Sequence, residues 1–448
     1  MTQTAPTEKR SLGEKISALG PTWLAGAIAA GPASMASLLS AGASFGYALL
    51  WVVIISAIFG ALAQYLATKL ALATGEGLVK TVERRLGNTW AWLLVVDVVL
   101  VAGFAQLIIM KTVASVSGLL TPVGAEFWGI GWALLLAVGL AGGGYRIAEL
   151  GAKVIVTAVV IAFIGSLFIV PIEPAAAGGL LPTIPSGGAI AAAGILGGAV
   201  HISIITMQTY TVTARGWTRD DSALARFDIG ISMLAAFGIF SIATFLVAAS
   251  ALFGTVDGQG LTAIAAAQAL QPVAGPFAQR LFLFGLLGAA VSTLGGNTLI
   301  PPYVVADKLG WGTDVADTRY RALLAGTALL SGAGVFIPGA FIGQLVLVLA
   351  VGTVGTPFAL ALVLVLLNDA ETAGKPPGLA LNLGGTLVFS VASILAGNFV
   401  AGQLNGGLTP LSGSVLVFAA VLAFATVLLV GSHLRNQIVD ANAAPLSE

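Results

Sequence analysis

The chain has 448 residues, of which 58% are hydrophobic and 8% are charged, and its mean hydropathy is +1.01. This composition lies far outside the range of soluble globular domains and indicates a membrane protein with many spans. The formal net charge is zero, from 19 basic and 19 acidic residues, so no nucleic-acid-binding face is expected. The absence of cysteine excludes disulfides, cysteine-ligated zinc and iron–sulfur clusters, and thiol catalysis.

About twelve apolar segments follow one another along the chain, each near the roughly 20 residues that span a bilayer core. The polar segment 1–20 has no apolar core followed by a cleavage site, and we interpret it as a cytoplasmic tail. Most basic residues then fall on inner segments, as the positive-inside rule requires, and the exceptions are Lys69, Lys111 and Arg280. An even number of spans places the C-terminal tail, 435–448, in the cytoplasm as well, so we expect a multi-pass protein of the cell membrane. The predicted centres of the spans are Ala30, Ile55, Val101, Leu135, Val159, Val200, Phe240, Leu287, Leu329, Val348, Val388 and Ala420.

The spans divide into two groups of five and a final pair, with predicted boundaries at 21–171, 188–368 and 377–434. Because five is an odd number of crossings, the second group is inserted upside down relative to the first. This arrangement is typical of transporters that are built from inverted repeats and work by alternating access.

The first helix of each group is interrupted near its middle. In the first group the break is Gly31-Pro32, and in the second GGAVHIS, from Gly197 to Ser203, places two glycines beside His201. Proline removes a backbone donor, and freed backbone groups are tolerated at membrane depth only where they are packed against protein or line a cavity. One proline kink alone is more often a packing feature. Two breaks at matching places predict a binding site at the midplane.

Several segments resemble one known family. GPTWLAGAIAAGPASMASLLSAGASFGYALLWV, from Gly20 to Val52, is similar to the first helix of the Nramp family of proton-coupled divalent-metal transporters. AQYLATKLALATGEGL, TARGWTRDDSALARFD and TPFALALVLVLLND resemble later parts of that family. The resemblance implies an all-α integral membrane fold of the LeuT type, a 5+5 inverted repeat with helices one and six broken, plus two extra helices.

The residues at the family's metal site differ in this chain. The family's aspartate and the Pro-Gly-Asn that follows it correspond to Gly31, Pro32, Ala33 and Ser34. In the sixth helix the family's alanine corresponds to Gly198, and its Met-Pro-His corresponds to His201, Ile202 and Ser203. The glutamine of the tenth helix corresponds to Gly355. Of the acidic pair that serves proton passage in the third helix, Asp97 remains and the second position is Leu100.

Loss of the aspartate predicts a change in the charge of the substrate. The half-helix that begins at Ala33 offers free amides and a positive dipole end, and His201 can carry a positive charge. We therefore expect a small anionic or zwitterionic solute, such as an organic acid, an amino-acid derivative or bicarbonate, with H⁺ or Na⁺ as the coupling ion. The predicted coupling residues are Asp97 and His201. The predicted substrate-binding residues are Gly31, Pro32, Ala33, Ser34, Ser37, Gly198, His201, Ser203 and Gly355.

Three alternatives stay open at the level of sequence. A divalent-cation carrier with an atypical site could use His201 as one ligand for Mn²⁺ or Fe²⁺, or could take Mg²⁺ with its water shell. A membrane sensor could have kept the fold and lost transport. Asp97 could instead form a structural ion pair with Arg226 or Arg321, and Lys111 is expected to reach the outer interface. No catalytic constellation, cofactor motif or metal ligand other than His201 is identified, so we do not expect an enzyme.

Overall fold

The computed structural model describes residues 31–142, 157–258, 260–405 and 410–443. Over these ranges the regular secondary structure is helical, with no strand. The predicted tail 1–20 and the first predicted centre, Ala30, lie outside the described residues. The main helices are α1 (Pro32–Phe45), α2 (Leu50–Thr74), α3 (Leu78–Leu86), α4 (Asn88–Leu120), α5 (Ala125–Gly142), α6 (Thr157–Ser166), α7 (Ala189–Ala199), α8 (Ile202–Ala214), α9 (Arg219–Ala251), α10 (Ala278–Thr298), α11 (Ile300–Leu309), α12 (Thr318–Ser331), α13 (Phe341–Asn368), α14 (Leu379–Asn405) and α15 (Pro410–Ala443).

The all-helical membrane class is confirmed. The described residues contain eight helical segments that are long and apolar enough to cross a bilayer, and two shorter apolar helices, α5 and α6. The predicted centres from Ile55 to Ala420 fall within helices, except Val200, which lies between α7 and α8. Val200 lies at the second predicted break, where an interruption of the helix is expected.

The two groups of spans interlock. Helix α1 packs against α9, α2 packs against α8, and α4 packs against α10. Each of the first two contacts joins the first span of one group to the second span of the other group. An inverted repeat requires this equivalence. Small residues allow the close approach, since a Cβ on Gly42 would lie 2.7 Å from the Cβ of Ala248. Helix α13 runs through the interior and contacts α1, α4, α7, α14 and α15.

Lys111 on α4 does not reach the interface, contrary to the expectation from sequence. Its side chain is only 6% exposed. Its Nζ donates to the carbonyl oxygens of Ile337 and Gly339 at 2.6 Å each, and to Oε1 of Gln344 at 2.8 Å. The three ammonium hydrogens therefore have three neutral acceptors. This contact ties α4 to the segment that precedes α13.

We expect Lys111→Met to destabilise the protein by about 2 kcal/mol, because it leaves three buried acceptors without their donor. The measurement is the apparent unfolding temperature of the purified protein in detergent. Arg280→Gln, which removes an exposed charge, serves as the control and is expected to melt like the wild type. Wild-type melting of Lys111→Met would contradict the structural role of this contact.

Candidate substrate site

The first predicted break falls at the start of α1, and the residues before Gly31 lie outside the described part of the chain. Gly31 precedes the helix in an extended conformation, with φ −71° and ψ −178°, and Pro32 occupies the first helical position. Pro32 fits there because its missing N–H would have had no helical partner. The carbonyl of Gly31 accepts from the N–H of Met35 at 3.1 Å, which starts the helix. The free amide end of α1 therefore lies at Ala33 and Ser34.

The second break separates α7 from α8. Val200 and His201 are both extended, with φ of −131° and −140°, so the helix stops at Ala199 and restarts at Ile202. Helix α13 supports the break, because Oγ1 of Thr356 donates to the carbonyl of Val200 at 3.1 Å. The carbonyl end of α7 and the amide end of α8 thus lie two residues apart, with opposite dipole charges.

Glycines bring the two broken helices together. A Cβ on Gly198 would lie 2.6 Å from Oγ of Ser34, and a Cβ on Gly197 would lie 2.7 Å from Oγ1 of Thr353. Larger residues at these positions would push α7 away from α1 and α13. The double glycine is therefore explained by close packing at the break.

Both breaks line one cavity of about 250 Å³. Its wall also includes parts of α4, α8, α10, α11 and α13. Ser37 and Gly355 lie outside the lining: Ser37 is buried beside Gly194, and Gly355 lies against Asp97. The predicted residues that the cavity brings together are Gly31, Pro32, Ala33, Ser34, Gly198, His201 and Ser203.

The sequence analysis missed the polar contribution of α10 and α11. Thr293, Asn297 and Tyr303 line the cavity from these helices. Asn297 is held in place by hydrogen bonds from its Nδ2 to the carbonyl of Ala102 and to Oε1 of Gln106, each 2.9 Å. The signal was present as an asparagine after two glycines and before Pro301-Pro302, in the middle of an apolar segment.

The lining is mostly apolar, and its polar groups are uncharged. Nδ1 of His201, Oγ of Ser203 and Oγ1 of Thr293 are buried without a hydrogen-bond partner among the described residues. No carboxylate lines the cavity, and the described part of the chain has no group of three or more His, Asp or Glu that could hold a metal ion. The available ligands are therefore hydroxyls, amides, backbone carbonyls and one imidazole.

Asp97 lies one turn along α4 from the cavity-lining Val101. It is completely buried, and neither carboxylate oxygen has a hydrogen-bond partner among the described residues. The ion pair with Arg226 or Arg321 is therefore not formed. Gly355 makes room for the carboxylate, because a Cβ there would lie 2.5 and 2.6 Å from its two oxygens.

Two tyrosines lie together beside the cavity, toward the end of α8. Tyr303 lines the cavity, and the Tyr210 ring lies behind it with ring centroids 5.0 Å apart. The Tyr210 hydroxyl donates to Oδ2 of Asp307 at 2.8 Å, and Lys80 Nζ lies 3.3 Å from the other carboxylate oxygen. These contacts join α8, α11 and α3 at one end of the bundle.

An all-helical membrane bundle in which the starts of α1 and α8 meet beside one cavity is the arrangement of the LeuT-type transporter fold. The structure is similar to that of the Eremococcus coleocola manganese transporter in complex with an aromatic bis-isothiourea compound, with a TM-score of 0.70. That alignment covers 96% of both chains at 16% identity, so it shows the fold.

The chain belongs to the Nramp family, described as natural resistance-associated macrophage protein-like, which matches residues 22–402. A relative from Mycobacterium tuberculosis, the divalent metal cation transporter MntH, is 28% identical over 338 residues, 70% of this chain and 75% of the relative. The MntH of Yersinia pestis is 30% identical over 315 residues, 66% of this chain and 76% of the relative.

These comparisons overturn the predicted anionic or zwitterionic substrate. The relatives are named as divalent metal cation transporters, and the structural neighbour is named as a manganese transporter. The organic acid, amino-acid derivative or bicarbonate is therefore withdrawn as the partner. The prediction relied on the amide end at Ala33 and on a positive charge at His201. It gave too little weight to the carbonyl end of α7, whose negative dipole lies at the second break and favours a cation.

Proposed function

We propose that this protein is a secondary active transporter that carries a divalent metal cation across the cell membrane by alternating access. The observation that carries the proposal is the cavity lined by both helix breaks, in a chain that belongs to a family with metal-transporting members. Both termini are proposed to lie in the cytoplasm, because most basic residues then fall on the inner side.

The proposed ligands come from both broken helices. Ser34 contributes its hydroxyl from α1, while His201 and Ser203 contribute an imidazole nitrogen and a hydroxyl at the start of α8. Carbonyls at the end of α7 add partial negative charge, as unwound carbonyls and helix C-termini do at cation sites in transporters. A neutral imidazole is a good ligand for transition metals.

The transported ion is proposed to keep part of its water shell. Uncharged ligands offset the loss of hydration less well than carboxylates do, so complete dehydration would be costly. The cavity of about 250 Å³ has room for an ion with several waters, since a water occupies about 30 Å³ in the liquid. A hydrated ion is recognised mainly through its waters, which weakens discrimination between Mn²⁺ and Mg²⁺.

We expect Mg²⁺ to compete with Mn²⁺ in proteoliposomes within about a tenfold concentration range, because similar hydrated ions meet the same uncharged ligands. The measurement is initial Mn²⁺ uptake at increasing external Mg²⁺, with protein-free liposomes subtracted. Uptake that is unchanged at a hundredfold excess of Mg²⁺ would show that the ion is dehydrated and coordinated directly. Absence of saturable uptake for both ions would refute metal transport.

Asp97 is proposed to carry the coupling proton. Its carboxylate is buried without a partner among the described residues, so it is not committed to a structural ion pair. It lies outside the cavity lining but one turn away, where it can respond to the bound ion without contacting it. An ionisable residue inside a membrane protein is by default a candidate functional residue.

A further inference from the structure

A second pocket, the basic pocket, lies away from the cavity between the end of α2, the start of α9 and the connection from α13 to α14. Its volume is about 490 Å³. Four of its lining residues are basic: Lys69 on α2, Arg219 and Arg226 on α9, and Lys375 in the connection. No acidic residue lines it. The pocket therefore concentrates positive charge at one end of the helix bundle.

The positive charges have no carboxylate partner. Lys69, Arg226 and Lys375 form no ion pair in the part of the chain that the structure describes. Arg219 is held at one side of the pocket, because its Nη2 donates to the carbonyls of Ala373 at 3.0 Å and Ala73 at 3.4 Å. Four cations so arranged repel one another, and an anion between them would relieve that repulsion.

Nearby carboxylates are engaged elsewhere. Arg85 binds both Asp369 and Glu371, at 2.6 and 2.7 Å. Partial burial alone would raise the pKa of Asp369. Hydrogen bonds from Thr372 and Arg85 outweigh this effect and hold the pKa below its usual value. Asp221 accepts from the N–H of Thr218 at 3.1 Å. These carboxylates therefore do not neutralise the basic residues that line the pocket.

Apolar surface next to the basic pocket points to a lipid as the source of the anion. Helix α14 begins directly after Gly378 of the pocket, and its Leu379, Leu383 and Leu387 are 76%, 61% and 55% exposed. These leucines are spaced by four residues, so they form one stripe along the helix. Leu72 and Leu367 also line the pocket. A soluble anion would gain nothing from this surface, whereas an acyl chain would.

We propose that the basic pocket binds the phosphate of an anionic membrane lipid, with an acyl chain along the leucine stripe of α14. Basic pockets between transmembrane helices on the cytoplasmic side are a known way to bind such head groups. The bound lipid would join α2 and α9, which belong to the interlocked repeats, to α14 of the final pair. The proposal goes beyond metal transport and does not depend on it.

The test measures lipid retention by native mass spectrometry of the full-length protein in detergent, after titration with phosphatidylglycerol or phosphatidylcholine. The variant replaces Lys69, Arg226 and Lys375 with glutamine. Arg219 is left unchanged, because it donates hydrogen bonds to backbone carbonyls. Each basic residue near a membrane surface contributes about fivefold to the attraction of anionic lipid, so we expect at least about tenfold weaker retention of phosphatidylglycerol. Arg321→Gln removes an exposed charge outside the pocket and should retain the lipid like the wild type.

Three outcomes would overturn the proposal: unchanged retention by the triple variant, equal retention of phosphatidylcholine, or displacement of the lipid by millimolar inorganic phosphate. The last would identify a soluble phosphate as the ligand. Should the triple variant fail to fold, Lys375→Gln alone, at an exposed position, is measured in the same way. Metal uptake is not the readout, so this result is independent of the proposed transport function.

Discussion

His201→Ala is expected to weaken divalent-cation uptake at least about tenfold, because it removes the only nitrogen-ligand side chain that lines the cavity among the described residues. The serine hydroxyls and backbone carbonyls that remain are weaker ligands for a transition metal. The loss should appear as a higher half-saturation concentration for Mn²⁺ uptake in proteoliposomes. Isothermal titration of the purified protein should show a matching loss of affinity.

Two further variants make the His201 result specific. His201→Met restores a soft ligand at the same position and should shift selectivity toward Cd²⁺. Ser203→Ala removes one neutral hydroxyl and is expected to cost less than about fivefold. Gel filtration of each variant establishes that the fold is intact. Unchanged Mn²⁺ affinity in His201→Ala would assign the histidine to packing at the break.

Asp97→Asn is expected to abolish the dependence of metal uptake on the proton gradient, with at least about a tenfold fall in gradient-driven rate. Asparagine keeps the shape of the side chain and cannot exchange a proton. Because Asp97 lies outside the cavity lining, the affinity for Mn²⁺ should change by less than about threefold. Rate and affinity are measured in the same preparation, with and without an imposed pH difference.

Glu173→Gln, which neutralises an exposed carboxylate, is the control for Asp97→Asn and should keep gradient-driven uptake. Gly355→Ala provides a second approach, since the added methyl group crowds the Asp97 carboxylate without changing its charge. We expect this variant to slow gradient-driven uptake while keeping some pH dependence. Wild-type coupling in Asp97→Asn would exclude this residue as the proton carrier.

Much of the fold was predictable because it depends on local chemistry. Long apolar segments must be helical inside a bilayer, where every backbone group needs a partner within the protein. Gly31-Pro32 and Gly197-Gly198 were predicted to interrupt such segments. The second break is present, and a helix begins at Pro32, while the residues before Gly31 lie outside the described part of the chain. The family resemblance, based on segments such as Gly20 to Val52, is confirmed by the match over residues 22–402.

The charge of the substrate was predicted wrongly from the same residues. Comparing side chains one by one gave most weight to the lost aspartate and too little to backbone carbonyls, which have no letter in the sequence. The end of α7 at Ala199 places such carbonyls at the second break. Their direction is a property of the folded backbone, and it favours a cation.

The sequence by itself determined the membrane class, the positions of the spans from Ile55 onward and the second break, because hydropathy and glycine chemistry act within a few residues. Only the tertiary structure decided which polar groups meet. It brought Asn297 to the cavity, buried Lys111 among three neutral acceptors and left Asp97 beside Gly355 without a partner among the described residues. These contacts join helices about 200 residues apart in the chain, as Asn297 and Gln106 do with a separation of 191. Local patterns cannot specify such partners, since each depends on how two distant helices pack.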